Sequence, residues 1–127
     1  MRDFGPLVRE LSVLEAVQAE LAGIADRTDD ARRHDLIQLR RQLALQIAKV
    51  GQLAEPIFAA TEVGTAHEYR SRFSRMRSAA ALHQANWPAV RLGEDIEQYR
   101  ASAVGVRQAN KEFVAWVRGA LDHLRKD

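Results

Sequence analysis

Apolar positions along the chain recur every three or four residues almost from end to end, and no alternating run persists. At about 100° per residue this is the signature of amphipathic helices. The longest such pattern lies in the last quarter, from Glu94 to Lys126, where Ile96, Tyr99, Ala103, Val106, Asn110, Phe113, Val117, Leu121 and Leu124 share one stripe. No proline interrupts it. The pattern predicts a long C-terminal helix that must bury its stripe against other helices.

Three earlier patterns supply those partners. Leu7, Leu11, Leu14, Val17, Leu21 and Ile24 predict a first helix starting near Pro6, a residue favoured in a first turn, and ending around residues 26–29. Thr28 or Asp29 is then placed to cap a second helix running to about Glu55. Its main face is Leu36, Leu39, Leu43, Ile47, Val50, Leu53 and Ala54. Ile37, Leu45 and Ala48 form a second apolar band. A helix with two bands is either central in its bundle or carries a surface for a partner. Pro56 should break or kink this helix, leaving 56–63 as a short extension, and Gly64 should act as a stop. Thr65 followed by Glu68 has the form of a capping box, which places the start of a third helix at Ala66. Ala66, Tyr69, Phe73, Met76, Ala80 and His83 make its stripe, and it should end before Trp87-Pro88. The link 86–93 carries Trp87, Val90 and Leu92 and should pack down on the bundle. The expected fold is all-α, an antiparallel bundle of about four helices forming one domain over 1–127.

Composition narrows the chemistry. The chain has 127 residues, of which 46% are hydrophobic, enough for a core. It has no cysteine, which removes disulfides, thiolate nucleophiles and cysteine-ligated metals and fits a cytoplasmic protein. No apolar run approaches the roughly 18 residues of a membrane span. The formal charge is only +2, but residues 66–127 are basic and residues 1–65 acidic.

Candidate sites follow from residue types and spacing. A bundle metal site usually needs Glu-x-x-His, and none of His34, His67, His83 or His123 has an acid three residues before it. No metal or other cofactor is therefore expected. His67, with Arg70 and Ser71 following, resembles loosely the motif of histidine phosphotransfer domains, although the capping box would put it in a first turn. Arg70, Arg72, Arg75 and Arg77 have no acid among them and raise nucleic-acid binding. They do not form one stripe, which suits side chains that flank a buried seam or pair with acids of neighbouring helices. No glycine-rich phosphate loop or Gly-x-Ser-x-Gly occurs, so catalysis is not expected.

Protein binding is the remaining class. On the last helix Trp116 stands off the main stripe beside Ser102, Gly105, Ala109 and Ala120. Small residues around one aromatic can form a groove for a partner helix, or can serve a second neighbour within the bundle. The candidate partner surface is Trp116, Ala109 and Gly105, with Ile37 and Leu45 on the second helix. The partner is another protein or a second copy of the chain. Asn110, central in the main stripe, is expected to bond a core-side glutamine, Gln18 or Gln46.

Leu11, Leu14, Glu15, Asp35, Leu36, Leu39 and Leu43, with Arg107 to Phe113, Ala120, Leu121 and Leu124, resemble the small helical export chaperones of bacterial flagella, the FlgN and FliT kind. That resemblance covers about half the chain and does not extend to 72–92. It implies a cytoplasmic helical protein that holds the terminal helices of secreted subunits.

Overall fold

The computed structural model describes residues 3–126. It contains four long helices, α1 (Gly5–Ile24), α2 (Arg32–Ala59), α3 (Val63–Asn86) and α4 (Ile96–Arg125), and a short 3-10 turn at Ala89–Arg91. They form a ring in which α1 packs on α2 and α4, and α3 packs on the same two. The short links make consecutive helices antiparallel. Two contacts between α1 and α4 show the same relation: Arg125 near the end of α4 lies over the ring of Phe4, and Arg100 near its start pairs with Asp26. The all-α bundle with a long C-terminal helix is thus the fold. Among the described residues no helix is long and apolar enough to cross a membrane.

The stripes read from the sequence are the buried faces. Leu7, Leu11, Leu14 and Ile24 of α1 are buried, as are Leu36, Leu43, Val50 and Ala54 of α2. Tyr99, Asn110, Phe113, Val117 and Leu121 do the same for α4, joined by Val114, which the stripe had not included. The core divides in two. One cluster surrounds Phe58, Tyr69 and Phe113, towards the end that holds the α2–α3 link. A smaller one surrounds Ile24, Leu36, Trp87, Leu92 and Tyr99 at the opposite end.

Helix ends depart from expectation. Pro56 does not end α2, which continues to Ala59. Its ring removes the bond to the carbonyl of Gln52, but both residues face solvent, where water can serve that carbonyl. Phe58, fully buried, holds the final turn in the core. Neither Thr28 nor Asp29 caps α2: its N-cap is Ala31, with no side-chain bond. Arg27 instead bridges Asp29 at 2.6 Å and Asp35 at 2.7 Å, and the Arg32 guanidinium donates to the Arg27 carbonyl. Helix α3 begins at Val63, a turn before the proposed capping box, so Gly64 lies inside its first turn and is not a stop. Glu62, extended at ψ 148°, sets the start, and Glu68 turns forward to pair with Arg72 at 2.6 Å. The end of α3 at Asn86, ahead of Trp87-Pro88, is as expected.

In the link 87–95, Trp87 and Leu92 are buried, whereas Val90 is 72% exposed and does not pack down. Arg91 lies over the Trp87 ring at 4.3 Å. The chain then turns into α4 through two left-handed residues, Gly93 (φ 97°) and Asp95 (φ 44°). A Cβ on Gly93 would come within 2.8 Å of the Arg32 guanidinium, the far end of a flexible side chain that can move aside, so it is the left-handed backbone that calls for glycine.

Candidate functional site

The aromatic end of the bundle is packed ring against ring. Phe58 and Tyr69 stack at 4.6 Å between ring centres, and Phe113 touches Tyr69 and Phe73 at 6.2 and 5.8 Å. Burial pushes the Tyr69 phenol up to about 12. Trp116 belongs to this cluster. Its ring lies 5.5 Å from Phe58, and the Arg72 guanidinium lies 5.6 Å above it. It packs in the seam between α3 and α4 and is half-buried. Ala109 sits on the same seam over a crevice of only about 20 Å³, and Ser102 faces α3 through His83. This second face of α4 therefore serves a neighbour within the bundle. Gly105 is exposed, and a Cβ placed on it would meet nothing within 4 Å.

The second band of α2 is where apolar surface stays open. Leu45 is 72% exposed and Ile37 is 41% exposed. Beside the band, α2 and α3 part to leave a groove of about 220 Å³. Leu43, Ile47, Phe73 and Ala80 form its floor, with the exposed alanines Ala44, Ala48 and Ala81 on its rims. Gly51 sets its edge: a Cβ there would approach the tip of the Phe73 ring to 2.9 Å, so glycine lets that ring lie against α2.

Behind the groove, where the two core clusters meet, lies a small internal chamber of about 30 Å³. Leu43, Ala80 and Gln84 line both spaces. Every helix contributes polar groups to the chamber: Gln18 from α1, Arg40 from α2, His83 and Gln84 from α3, and Tyr99 and Arg107 from α4. Gln18 is only 6% exposed, and its amide nitrogen has no hydrogen-bond partner. One terminal nitrogen of Arg40 is likewise buried without a partner. Burial lowers the Arg40 pKa, an effect the Tyr99 phenol offsets in part. His83 shares a 2.6 Å hydrogen bond between its Nδ1 and the Ser102 hydroxyl. Burial first, and the Arg40 charge second, hold the imidazole down at about 4, so it is neutral at pH 7.

Sequence reasoning placed His83 and Gln18 on inward faces but passed over Arg40 and the Tyr99 hydroxyl. The signal was present, since Arg40 lies one turn from Leu36 and at the edge of the Leu36–Leu43 face. Asn110, expected to bond a glutamine, does not: its side-chain oxygen is buried without a partner. Gln46 is occupied elsewhere, donating to both the backbone carbonyl and the carboxylate of Glu10.

His67 is exposed and lies in the second turn of α3, since the helix starts earlier than the capping box implied. The four arginines divide their tasks. Arg70 pairs with Glu55 of α2 at 2.6 Å and Arg72 pairs with Glu68, while Arg75 reaches Ser71 and Arg77 lies over Phe73. They flank the seams of α3 and project no common basic face. Among the described residues no group of three potential metal ligands comes together.

No family model matches the chain, and neither a curated protein nor a solved structure matches it.

Proposed function

We propose that the protein is a non-enzymatic helical bundle that binds another protein, as a chaperone or adaptor in a bacterial cytoplasm. The groove between α2 and α3 is the docking surface in this reading, and an amphipathic helix of the partner is its occupant. The observation that carries the proposal is the open apolar floor of Leu43, Ile47 and Phe73 between alanine rims. Alanines let a second helix backbone approach closely, and the floor offers room for its larger side chains. Leu45 and Ile37 extend the apolar strip along α2. Arg77 and Gln84 at the border supply polar groups of the kind that rim an interface. The absence of cysteine agrees with a reducing compartment.

The test uses two exposed rim positions, Ala48→Arg and Ala81→Arg, in the full chain. Both variants are expected to keep the helical content and unfolding midpoint of the parent. Both should lose a protein that co-purifies with the parent, by roughly tenfold or more in recovery, because a charge then sits in the groove. Recovery of the same partners by both variants would overturn the placement. Acid-labile phosphate on His67, abolished by His67→Gln, would overturn the reading itself in favour of phosphotransfer.

A further inference from the structure

We propose, resting on the docking role of the groove between α2 and α3, that the helix it receives is acidic. Its occupant is an amphipathic helix of a partner protein with Asp or Glu along both borders of its apolar face.

The walls of the groove are one-signed. Between Asp35 and Glu55 the chain holds no acid, and between Glu68 and Glu94 it holds none either. Every residue that lines the groove falls within those two stretches. Glu55, one turn beyond Gly51, is already paired with Arg70 at 2.6 Å. Two cations have no such balance. Arg77 lines the groove, is exposed, and lies over the Phe73 ring rather than against an acid. Arg41, also exposed, shares the side of α2 that carries Ala44 and Ala48 and stands between Ile37 and Leu45. Among the described residues neither arginine forms an ion pair. Each wall therefore sets a guanidinium beside an apolar floor, where the border residues of a docked helix lie. Carboxylates there gain charge-assisted hydrogen bonds, and lysines there meet like charge. The same charges disfavour a second copy on this face. A two-fold contact of groove with groove would set the arginines of one copy against those of the other, with no acid in either wall.

The experiment titrates the full chain with synthetic helical peptides of about 20 residues. Two share one face of Leu and Ala and differ only in their borders, Glu in one and Lys in the other. A third has the composition of the Glu peptide, scrambled so that no apolar face remains. The Glu-bordered peptide should bind one-to-one, roughly tenfold tighter than the Lys-bordered one. The scrambled peptide should not bind, and added salt should narrow the preference. Arg41→Glu/Arg77→Glu, at two exposed positions, should reverse it. If that variant unfolds, the order of the peptides on the parent still decides the matter. Equal binding of the Glu and Lys peptides, lost in Ala48→Arg and Ala81→Arg, would overturn the acidic occupant and leave the docking surface standing. Equal binding of the scrambled peptide, no saturable binding of the Glu peptide, or binding that survives both rim variants would also overturn it. A dimer of the chain that Ala48→Arg dissociates would assign the groove to a second copy and overturn both readings.

Discussion

The aromatic end of the bundle and its middle are built on different terms. Towards the α2–α3 link, α2, α3 and α4 meet through Phe58, Tyr69, Phe113 and Val117, all essentially without exposure. Towards the middle, all four helices bring Gln18, Arg40, His83 and Tyr99 around a cavity with unpaired donors. Apolar burial contributes to stability wherever it occurs, whereas an unpaired buried donor opposes it. The first region therefore holds the fold together. The second carries polar groups that folding alone does not require, which makes it the region to examine for function.

The largest expected effect lies in the aromatic end. Phe113→Ala removes a ring in contact with Tyr69 and Phe73 and should cost about 3–5 kcal/mol in urea unfolding. A loss under about 1 kcal/mol would mean that this end can collapse and is not the anchor.

Acid should act next, through the chamber. The His83 imidazole sits at about 4 in the folded chain against 6.5 for a free side chain. The unfolded chain thus binds a proton first as pH falls. The contribution of neutral His83 is full above about 6.5 and is lost progressively between there and about 4. Because the ring is partly accessible, a loss of about 1–2 kcal/mol is expected, less than the full shift implies. His83→Phe should flatten this stretch of the stability–pH curve. Asp29, held down at about 2 by Arg27, contributes in a separate, more acidic window below 3.8. A curve that falls only in that lower window would place the acid response outside the chamber.

Asn110 gives a smaller effect of opposite sign. Its orphaned oxygen in the α4 stripe predicts that Asn110→Leu raises stability by about 1 kcal/mol, read from the unfolding midpoint. A decrease would reveal a partner for that oxygen and restore the expectation of a bond to a core-side glutamine. Smallest of all, Arg70→Ala should leave the midpoint unchanged, since its pair with Glu55 is largely exposed.

These contrasts also explain what was legible in the sequence. Helix periodicity reports which face is apolar, and the faces of α1 and α4 were read almost residue by residue. It reports less well on helix ends. Pro56 reads as a break or kink because its exposure, which makes the lost bond tolerable, depends on how α2 packs. The capping box at Thr65 is a sound local signal, but the extended Glu62 outside it starts the helix three residues earlier than the box implies. Trp116 stands apart from the main stripe, which leaves a partner groove and a second neighbour within the bundle both open, and only packing shows Phe58 and Arg72 against its ring. Leu45 and Ile37, read as a spare band, are exposed in the bundle. The chamber was hidden for a different reason. Gln18, Arg40, His83 and Tyr99 are spread over 82 positions of the chain, and spacing along one helix cannot reveal donors left unpaired between four.

The most direct test of the division between an aromatic end that holds the fold and a polar middle is the unfolding free energy of the double variant Gln18→Leu/Arg40→Met. If the aromatic end holds the fold, replacing these polar groups with apolar side chains of similar size should leave stability within about 1 kcal/mol of the parent, or raise it. A loss of about 3 kcal/mol or more, comparable to Phe113→Ala, would show that the polar groups hold the fold and contradict the account.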